Sequence, residues 1–203
     1  MSIAVFYAPN AKDSSYLSEE ESFHAIRVLR LRVGETIHLL DGRGSKFSTS
    51  ISSIEGKKVA FGPLEVVESE LSPSYKIHLY VAPTKQMERM EWMVEKISEL
   101  GFHELTLLET MNSERSFLKT DRLHKKMISA CKQSLKFRIP ELHQTRKLAD
   151  LIKSNEFDQF QKFIAYVDES HENHLLDLAT SGGKYLILIG PEGDFDPKEI
   201  KMA

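Results

Sequence analysis

The sequence predicts an α/β protein with a small N-terminal β domain and a larger domain built on a parallel sheet. Short strand-like runs separated by glycine turns occupy residues 35–68, a pattern typical of a small β-barrel or sheet. From residue 76 onwards strand-like and helix-like segments alternate, which indicates βαβ units and a parallel sheet. With 203 residues, 41% of them hydrophobic, the chain is long enough for two domains with buried cores.

The N-terminal domain is predicted to begin with a helix over Asp13–Arg32. Ser18 and Glu21 have the spacing of a capping box, and apolar residues follow at helical spacing. A polar stretch, Ser69–Ser74, is typical of a linker, so we place the two domains at residues 1–70 and 75–203. The strand-like runs of the first domain are Glu35–Leu40, Lys46–Ile54 and Lys58–Glu68.

The second domain is predicted to alternate strands with helices. Met90, Val94 and Ile97 form one apolar helical face, and Gly101 follows as a helix C-cap. The last strand is a continuous apolar run, as a strand covered on both faces requires. The predicted strands are Lys76–Ala82, Leu105–Leu108, Phe163–Val167 and Tyr185–Ile189, and the predicted helices are 87–100, Asp121–Leu135 and Lys147–Lys153.

Several classes of protein are excluded by composition. No apolar run approaches the roughly 18 residues that a membrane span needs, and the N-terminus lacks the pattern of a secretory signal. A single cysteine, Cys131, rules out an internal disulfide framework and a metal site made of several cysteines. We therefore expect a cytoplasmic protein, in which Cys131 is a buried structural thiol unless nearby lysines lower its pKa.

Positive charge is concentrated in one segment of a chain whose net charge is −3. Residues 115–147 carry ten Lys or Arg against two Asp or Glu. Such a segment suits a polyphosphate, because each neutralised phosphate releases a condensed counterion. An ordinary solvated helix face is the alternative. The basic residues are Arg115, Lys119, Arg122, Lys125, Lys126, Lys132, Lys136, Arg138, Arg146 and Lys147.

A predicted buried strand near the end of the sequence leads through a glycine-containing loop directly into a helix. Asp196 and Pro197 are typical first residues of that helix, and Glu199 completes a capping box. Ligands of open α/β sheets bind beyond the carboxyl ends of the strands, and Gly190 and Gly193 let backbone groups approach a ligand closely. The loop therefore predicts a ligand site.

The charge of this loop restricts the ligand. Glu192, Asp194 and Asp196 would repel an anion at the N-terminus of the helix. A neutral or positively charged ligand therefore fits better than a phosphate.

Four stretches together resemble one family and span nearly the whole chain in the family's order. They are His24–Arg30 followed by Gly34 and Asp41–Gly44; Lys85–Gly101; Arg115 and Ser116 with Gln133, Ser134 and Pro140; and Ile189–Gly193. The last stretch alone would be a weak motif, whereas the four in sequence are specific. The chain thereby resembles the bacterial 16S rRNA (uracil-N3)-methyltransferases of the SPOUT class.

This resemblance implies a PUA-like RNA-binding barrel over residues 1–70 and a SPOUT domain of the trefoil-knot type over residues 75–203. It also implies a homodimer that uses S-adenosylmethionine to methylate N3 of a uridine in 16S rRNA, within the small ribosomal subunit. The cofactor-binding residues carried over are Ile189, Gly190, Pro191, Glu192 and Gly193. Those expected to contact RNA are Arg27, Arg30, Arg115, Gln133 and Ser134, to which the basic segment adds Lys132, Lys136 and Arg138.

Arg115 is also the candidate catalytic residue. Methylation requires uracil N3 to lose its proton, and a cation beside the uracil carbonyls would stabilise the resulting anion. A phosphate contact is the alternative role for Arg115.

The chain departs from the family's pattern in three places. Asp194 stands where the family usually has a second glycine, and Lys136 stands near a family arginine position. The sequence also stops at Ala203, in a helix without a C-cap signal, whereas the family continues through another strand and a loop that closes the pocket. We therefore expect the knot and the cofactor pocket to be incomplete at this end.

Two other functions are compatible with the sequence. One is a non-catalytic RNA-binding protein that uses the N-terminal barrel and the basic segment. The other is a metal-dependent hydrolase built on Glu192, Asp194 and Asp196. We expect no metal site among the histidines, because no pair has metal-ligand spacing with a third partner. The pair of histidines after residue 170, beside two acidic residues, could imitate a metal cluster, but a solvated loop is the favoured interpretation there. Those considered are His24 and His38, and His171 and His174 beside Asp168 and Glu169.

Overall fold

The N-terminal part of the chain forms a mixed five-stranded sheet. The computed structural model describes residues 3–114, 120–167 and 174–203. The strands of this sheet are β1 (Ala4–Tyr7), β2 (Thr36–Leu40), β3 (Ser45–Glu55), β4 (Lys58–Phe61) and β5 (Glu65–Ser69). They pair in the order β1-β2-β3-β4, with β5 also paired to β3. β1 and β2 are parallel, and the other pairs are antiparallel.

Alternation of side chains builds the core of this sheet. Ile37 and Leu39 of β2 are fully buried, and they pack in one cluster with Phe6 of β1. The single strand predicted over Lys58–Glu68 is wrong, because the chain is interrupted there and forms β4 and β5. Pro63 lies in the interruption, and a proline has no backbone N–H to give to a strand ladder.

The first helix is much shorter than the sequence pattern predicts. Helix α1 spans Glu19–Phe23 and continues as a π-helical turn over His24–Val28, so the longer predicted helix is wrong at both ends. Ser18 is the N-cap as predicted, and its Oγ accepts the Glu21 N–H at 3.2 Å. The Glu21 carboxylate instead accepts the backbone N–H of Tyr7 at 3.0 Å, which ties the helix to β1.

The described residues group into two units. The first comprises the chain up to Ser72 together with Ile128–Ile139, and the second comprises Pro73–Met127 and Pro140–Ala203. The domain limits drawn from the sequence stay predictions. They differ from the two units because Ile128–Ile139 groups with the first one.

Two residues near the end of helix α3 (Thr120–Gln133) are held inside the first unit. Lys132 Nζ donates to both carboxylate oxygens of Glu21, at 2.6 and 2.8 Å, and lies 5.6 Å from the centre of the Phe6 ring. Cys131 is fully buried, and burial raises the pKa of its thiol to about 11 although Lys136 opposes the shift. The neighbouring lysines therefore do not activate this cysteine.

The second unit contains a five-stranded sheet in which all strands are parallel. Its strands are β6 (Lys76–Val81), β7 (Glu104–Glu109), β8 (Glu141–Lys147), β9 (Gln161–Ala165) and β10 (Lys184–Ile189). They lie in the order β8-β7-β6-β10-β9. The parallel sheet predicted from the alternating pattern is thus confirmed. β8, however, carries polar residues at most positions, so hydrophobic periodicity does not reveal it.

Among the described residues, four helices of the second unit follow the predicted positions, and a fifth, over Leu175–Leu178, is not predicted by the sequence pattern. They are α2 (Met87–Leu100), the first half of α3, α4 (Leu148–Ile152), α5 (Leu175–Leu178) and α6 (Pro197–Met202). Gly101 ends α2 with a φ of 106°, which favours glycine, and its N–H donates to the Ile97 carbonyl at 2.8 Å. Among the described helices, none combines the length and apolar character that a membrane crossing requires.

The loop between β10 and α6 places one aromatic side chain in the core. Phe195 is 3% exposed and packs with Tyr80, Leu186 and Leu188. A Cβ added at Gly190 would lie 2.9 and 3.0 Å from two atoms of the Phe195 ring. The loop can therefore follow this path only with glycine at position 190.

We expect Gly190→Ala to lower the free energy of unfolding by about 1–3 kcal/mol, because the added methyl group overpacks a rigid ring. Gly193→Ala is the matched control, since the nearest atom to its Cβ is Asn112 Cβ at 3.8 Å, an ordinary contact. Urea unfolding of both variants measures the difference. Equal stability of the two variants would contradict this account of the loop.

We expect Cys131 in the folded protein to resist thiol reagents at pH 8. The thiol is fully buried and its pKa is raised to about 11, so the reactive thiolate is a minor species. Reaction with a colorimetric disulfide reagent should be slow in buffer and complete in concentrated urea. Rapid stoichiometric reaction of the folded protein would show that Cys131 is accessible.

Candidate active site

The strand order of the second sheet creates a crevice at the carboxyl ends of β6 and β10. From β6 the chain proceeds to β7 and β8 on one side, whereas β9 and β10 lie on the other. Such a switch point is where ligands bind in open α/β sheets. Val81 pairs with Ile189 at the ends of the two strands, and the Ala82 N–H donates to the Ile189 carbonyl at 2.9 Å.

A carboxylate joins the loop after β10 to the loop after β6. Glu192 Oε1 accepts the backbone N–H of Lys85 at 3.1 Å. Backbone N–H groups, its own first and then that of Lys85, hold the pKa of the Glu192 carboxyl below its ordinary value. The Lys85 ammonium in turn lies 2.7 Å from Glu114 Oε1, and this hydrogen bond raises the pKa of Lys85. Glu192 is therefore ionised and engaged in loop structure.

The loop after β7 is joined to the same region by two side chains. Asn112 Nδ2 donates to the carbonyls of Gly193 and Asp194, at 3.3 and 3.1 Å. Glu199, which is 4% exposed, accepts the Met111 N–H through Oε1 at 2.9 Å. Three loops at the carboxyl ends of β6, β7 and β10 thus form one connected structure.

The capping box predicted at the start of α6 is confirmed. Asp196 Oδ1 accepts the Lys198 N–H at 2.8 Å, and Glu199 Oε2 accepts the Asp196 N–H at 3.1 Å. Asp194 Oδ1 accepts the N–H of Phe195 at 2.8 Å. Each carboxylate on which the hydrolase hypothesis rests is therefore bound to a backbone N–H, and the geometry gives that hypothesis no support.

Asp194 also explains one departure from the family's pattern. Its φ is 57°, in the left-handed region that glycine adopts freely. Aspartate tolerates this conformation better than most residues, because its short side chain bonds locally to the backbone. The glycine usual in the family and the aspartate found here can therefore adopt the same backbone turn.

The predicted cofactor-binding residues lie together on this structure. Ile189 ends β10, Pro191 is buried and Glu192 and Gly193 are exposed at the crevice. An added Cβ at Gly193 would meet one atom within 4 Å, Asn112 Cβ, so the backbone there is open to a ligand. Exposed backbone groups flanked by carboxylates suit a neutral or cationic ligand better than an anion.

The predicted RNA-binding residues differ in their exposure to solvent. Arg27 is exposed on the π-helical turn, and Arg30, also exposed, follows it with a φ of 56°. Gln133 and Ser134 are exposed at the end of α3, where Ser134 Oγ donates to the Ala130 carbonyl at 2.8 Å. These four residues are accessible to a partner.

The other basic candidates are less accessible. Lys132 is engaged by Glu21, and Arg138 donates through Nη2 to the Glu70 carbonyl at 3.1 Å. Lys136 is half-buried. Arg115, the candidate catalytic residue, lies outside the described residues, as do His171, Asp168 and Glu169 of the histidine-containing loop.

The first helix carries an aromatic residue that is exposed to solvent. Phe23 is 61% exposed on α1 and borders an open cleft. Arg27 and Lys57 line the same cleft, so a planar ring and two cations face solvent together. Sequence patterns also do not reveal the hydrogen bonds that Asn112 and Glu199 make to residues distant in sequence, because such loop contacts depend on tertiary structure.

Comparison with known proteins identifies the chemistry. A family model described as an RNA methyltransferase domain matches residues 70–203, and one described as an RNA methyltransferase PUA domain matches residues 17–64. The ribosomal RNA small subunit methyltransferase E of Aquifex aeolicus is 27% identical over 98% of this chain and 85% of its own length.

Two solved structures are similar over nearly the whole chain. An rRNA methyltransferase from Porphyromonas gingivalis is 37% identical, with a TM-score of 0.89 over 98% of this chain and 84% of that one. A methyltransferase from Legionella pneumophila, in complex with the bound cofactor SAM, is 27% identical, with a TM-score of 0.85 over 100% of this chain and 85% of that one.

These similarities confirm the resemblance to rRNA methyltransferases and the predicted fold class, a PUA-like domain followed by a SPOUT-type parallel α/β domain. They give no support to a non-catalytic RNA-binding protein or to a hydrolase. Because the family model covers more than half of the chain, this protein belongs to the RNA methyltransferase family.

Proposed function

We propose that this protein transfers a methyl group from S-adenosylmethionine to N3 of a uridine in 16S rRNA, within the small ribosomal subunit. The connected loops at the β6/β10 switch point carry this proposal, because they form a rigid crevice where α/β sheets bind ligands. The SAM-bound relative and the name of the Aquifex relative support the cofactor and the substrate. A cytoplasmic location follows from this substrate.

The residues of the loop after β10 fit the proposed cofactor. S-adenosylmethionine supplies an electrophilic methyl group on a positively charged sulfonium. Gly193 leaves its backbone open, and the Glu192 and Asp194 carboxylates give the loop a negative charge that a sulfonium tolerates. Asn112 and Glu199 hold the loop in place, so little reorganisation opposes binding.

The target base must be unpaired before it can react. N3 lies on the Watson–Crick edge of uracil, so the uridine has to leave its stack or come from a single-stranded region. Arg115 remains the proposed cation that stabilises the N3 anion, with a phosphate contact as its alternative role. Either role places positive charge next to the substrate.

We assign RNA binding by the first unit to the cleft beside Phe23. An exposed aromatic ring can stack on an unpaired base, and neighbouring cations can contact its phosphates. Phe23, Arg27 and Lys57 provide these groups, and Arg30 follows on the same segment. Glu19 also lines the cleft, which favours contact with a base edge at that side rather than with a phosphate.

We also propose that the protein acts as a homodimer, as the family resemblance implies. Helix α2 exposes two large apolar side chains, Trp92 at 65% and Leu100 at 82%. These residues lie outside the buried face formed by Met90 and Val94, so burial against a second copy would remove apolar surface from water.

Methyl transfer is tested directly with labelled S-adenosylmethionine and small-subunit rRNA. We expect 3-methyluridine in the digested RNA, detected by mass spectrometry, and no label in large-subunit rRNA. Gly193→Leu should weaken cofactor binding at least about 10-fold in calorimetry by filling open space at the loop; Gly193→Ala is the control for folding. Methylation of a different atom, or of both RNAs alike, would contradict the proposed reaction.

RNA binding by the first unit is tested through its salt dependence. Removing one phosphate contact from a single-stranded site reduces the slope of log K against log salt by about 0.7. We expect this change for Arg27→Gln and for Arg30→Gln, measured by fluorescence anisotropy with single-stranded RNA. Lys162→Gln, on β9 beside Asp158, is the matched loss of one positive charge. Equal slopes for all three variants would remove Arg27 and Arg30 from the RNA interface.

A further inference from the structure

Three neighbouring strands of the parallel sheet bring two histidines and a glutamate together. His78 of β6 pairs with Glu104 of β7, and Thr106 of β7 pairs with His143 of β8. Glu104 and Thr106 are two positions apart, so they lie on the same face of the sheet. The cluster lies near the amino ends of the strands, whereas the loops of the candidate active site follow their carboxyl ends.

The ligand atoms of this cluster are already close to metal-binding distances. Glu104 Oε2 lies 3.1 Å from His78 Nδ1 and 3.0 Å from His143 Nε2. The three atoms all lie within 4.8 Å of one another. A tetrahedral zinc ion with bonds of about 2.0–2.1 Å would separate its ligands by about 3.3 Å. A small shift of the side chains would therefore suffice to enclose an ion.

The surrounding groups orient two of the ligands. His78 Nε2 is 2.8 Å from Thr106 Oγ1. In the tautomer in which Nε2–H donates to this hydroxyl, Nδ1 carries the lone pair that a metal ion needs. His78 is 3% exposed, and within the described structure its Nδ1 has no hydrogen-bond partner despite its nearness to Glu104. Such a buried, unsatisfied nitrogen requires an explanation.

The Glu104 oxygen that does not face the histidines, Oε1, contacts a residue outside the cluster. The Lys76 ammonium contacts Glu104 Oε1, which leaves Oε2 to the histidines. Metal-binding carboxylates commonly have an outer hydrogen bond of this kind. The Glu141 carboxylate lies 3.9 Å from His143 Nε2 and adds negative charge that offsets the ammonium.

We propose that His78, Glu104 and His143 bind one zinc ion through Nδ1, Oε2 and Nε2, with water as the fourth ligand. Two imidazoles and one carboxylate are a ligand set that zinc accepts, whereas Mg²⁺ and Ca²⁺ prefer oxygen ligands alone. The His143 side chain is 40% exposed and gives the ion a path from solvent. This inference departs from the absence of a metal site expected from the sequence.

The proposed ion has a structural role. It would join β6, β7 and β8 at the amino ends of the strands. An ion that binds only to the folded chain stabilises the folded state by mass action. Because the cluster is built from residues other than those of the crevice loops, the inference does not depend on the proposed methyl transfer.

Zinc titration of metal-free protein by calorimetry tests the proposal. The proteins compared are the wild type, His143→Gln, and the control His38→Gln, which removes a histidine of β2. We expect the wild type and His38→Gln each to bind one equivalent more of zinc than His143→Gln. Titration with Mg²⁺ should give no saturable binding. Equal zinc stoichiometry in all three proteins would overturn the proposal.

Cobalt provides a second measurement that needs no variant. Tetrahedral Co²⁺ absorbs visible light far more strongly than the hydrated octahedral ion. We expect the stronger spectrum when the wild-type protein takes up one equivalent of Co²⁺, and its loss when zinc is added. A spectrum that stays that of hydrated cobalt would count against a closed site.

Discussion

The carboxylate of Glu199 is the contact on which the arrangement of the crevice depends. One of its oxygens accepts the N–H of Met111 in the loop after β7, and the other accepts the N–H of Asp196 at the start of α6. Burial of this carboxylate is acceptable because both oxygens are satisfied by hydrogen bonds. Loss of either bond would leave a buried charge unsatisfied and free two loops from each other.

The same chemistry, a carboxylate that accepts a backbone N–H, recurs at two other loop positions of the second unit. Glu192 accepts the N–H of Lys85, and Asp194 accepts that of Phe195. In composition these carboxylates resemble a metal-binding group, yet in the structure each one satisfies the backbone. The crevice is thus rigid and negatively charged, which is compatible with a cofactor that carries a sulfonium.

In the first unit, the exposure of basic residues does not follow the charge pattern of the sequence. Lys132 belongs to the most basic segment of the chain, but its ammonium is held by Glu21 and lies over Phe6. Arg27 and Arg30, which stand outside that segment, are exposed, and Arg27 lines the same cleft as Phe23. A count of charges along the sequence identifies a basic region, and only packing decides which cations can meet a phosphate.

Secondary-structure elements with local signals could be predicted from the sequence. Alternation and apolar runs predicted β2 and β10, the helical period predicted α2, and Asp196 with Glu199 predicted the start of α6. These features depend on neighbours within a few residues, which the sequence displays directly.

Contacts between residues that are distant in sequence could not be predicted in this way. Polar β8 becomes a strand because β7 offers it a partner, and Asn112 reaches Gly193 across 81 residues. Likewise, no spacing connects His78, Glu104 and His143, which meet because parallel strands place their side chains in register. Hydrogen bonds and ligand clusters of this kind form only after the sheet has assembled, so a linear pattern cannot contain them.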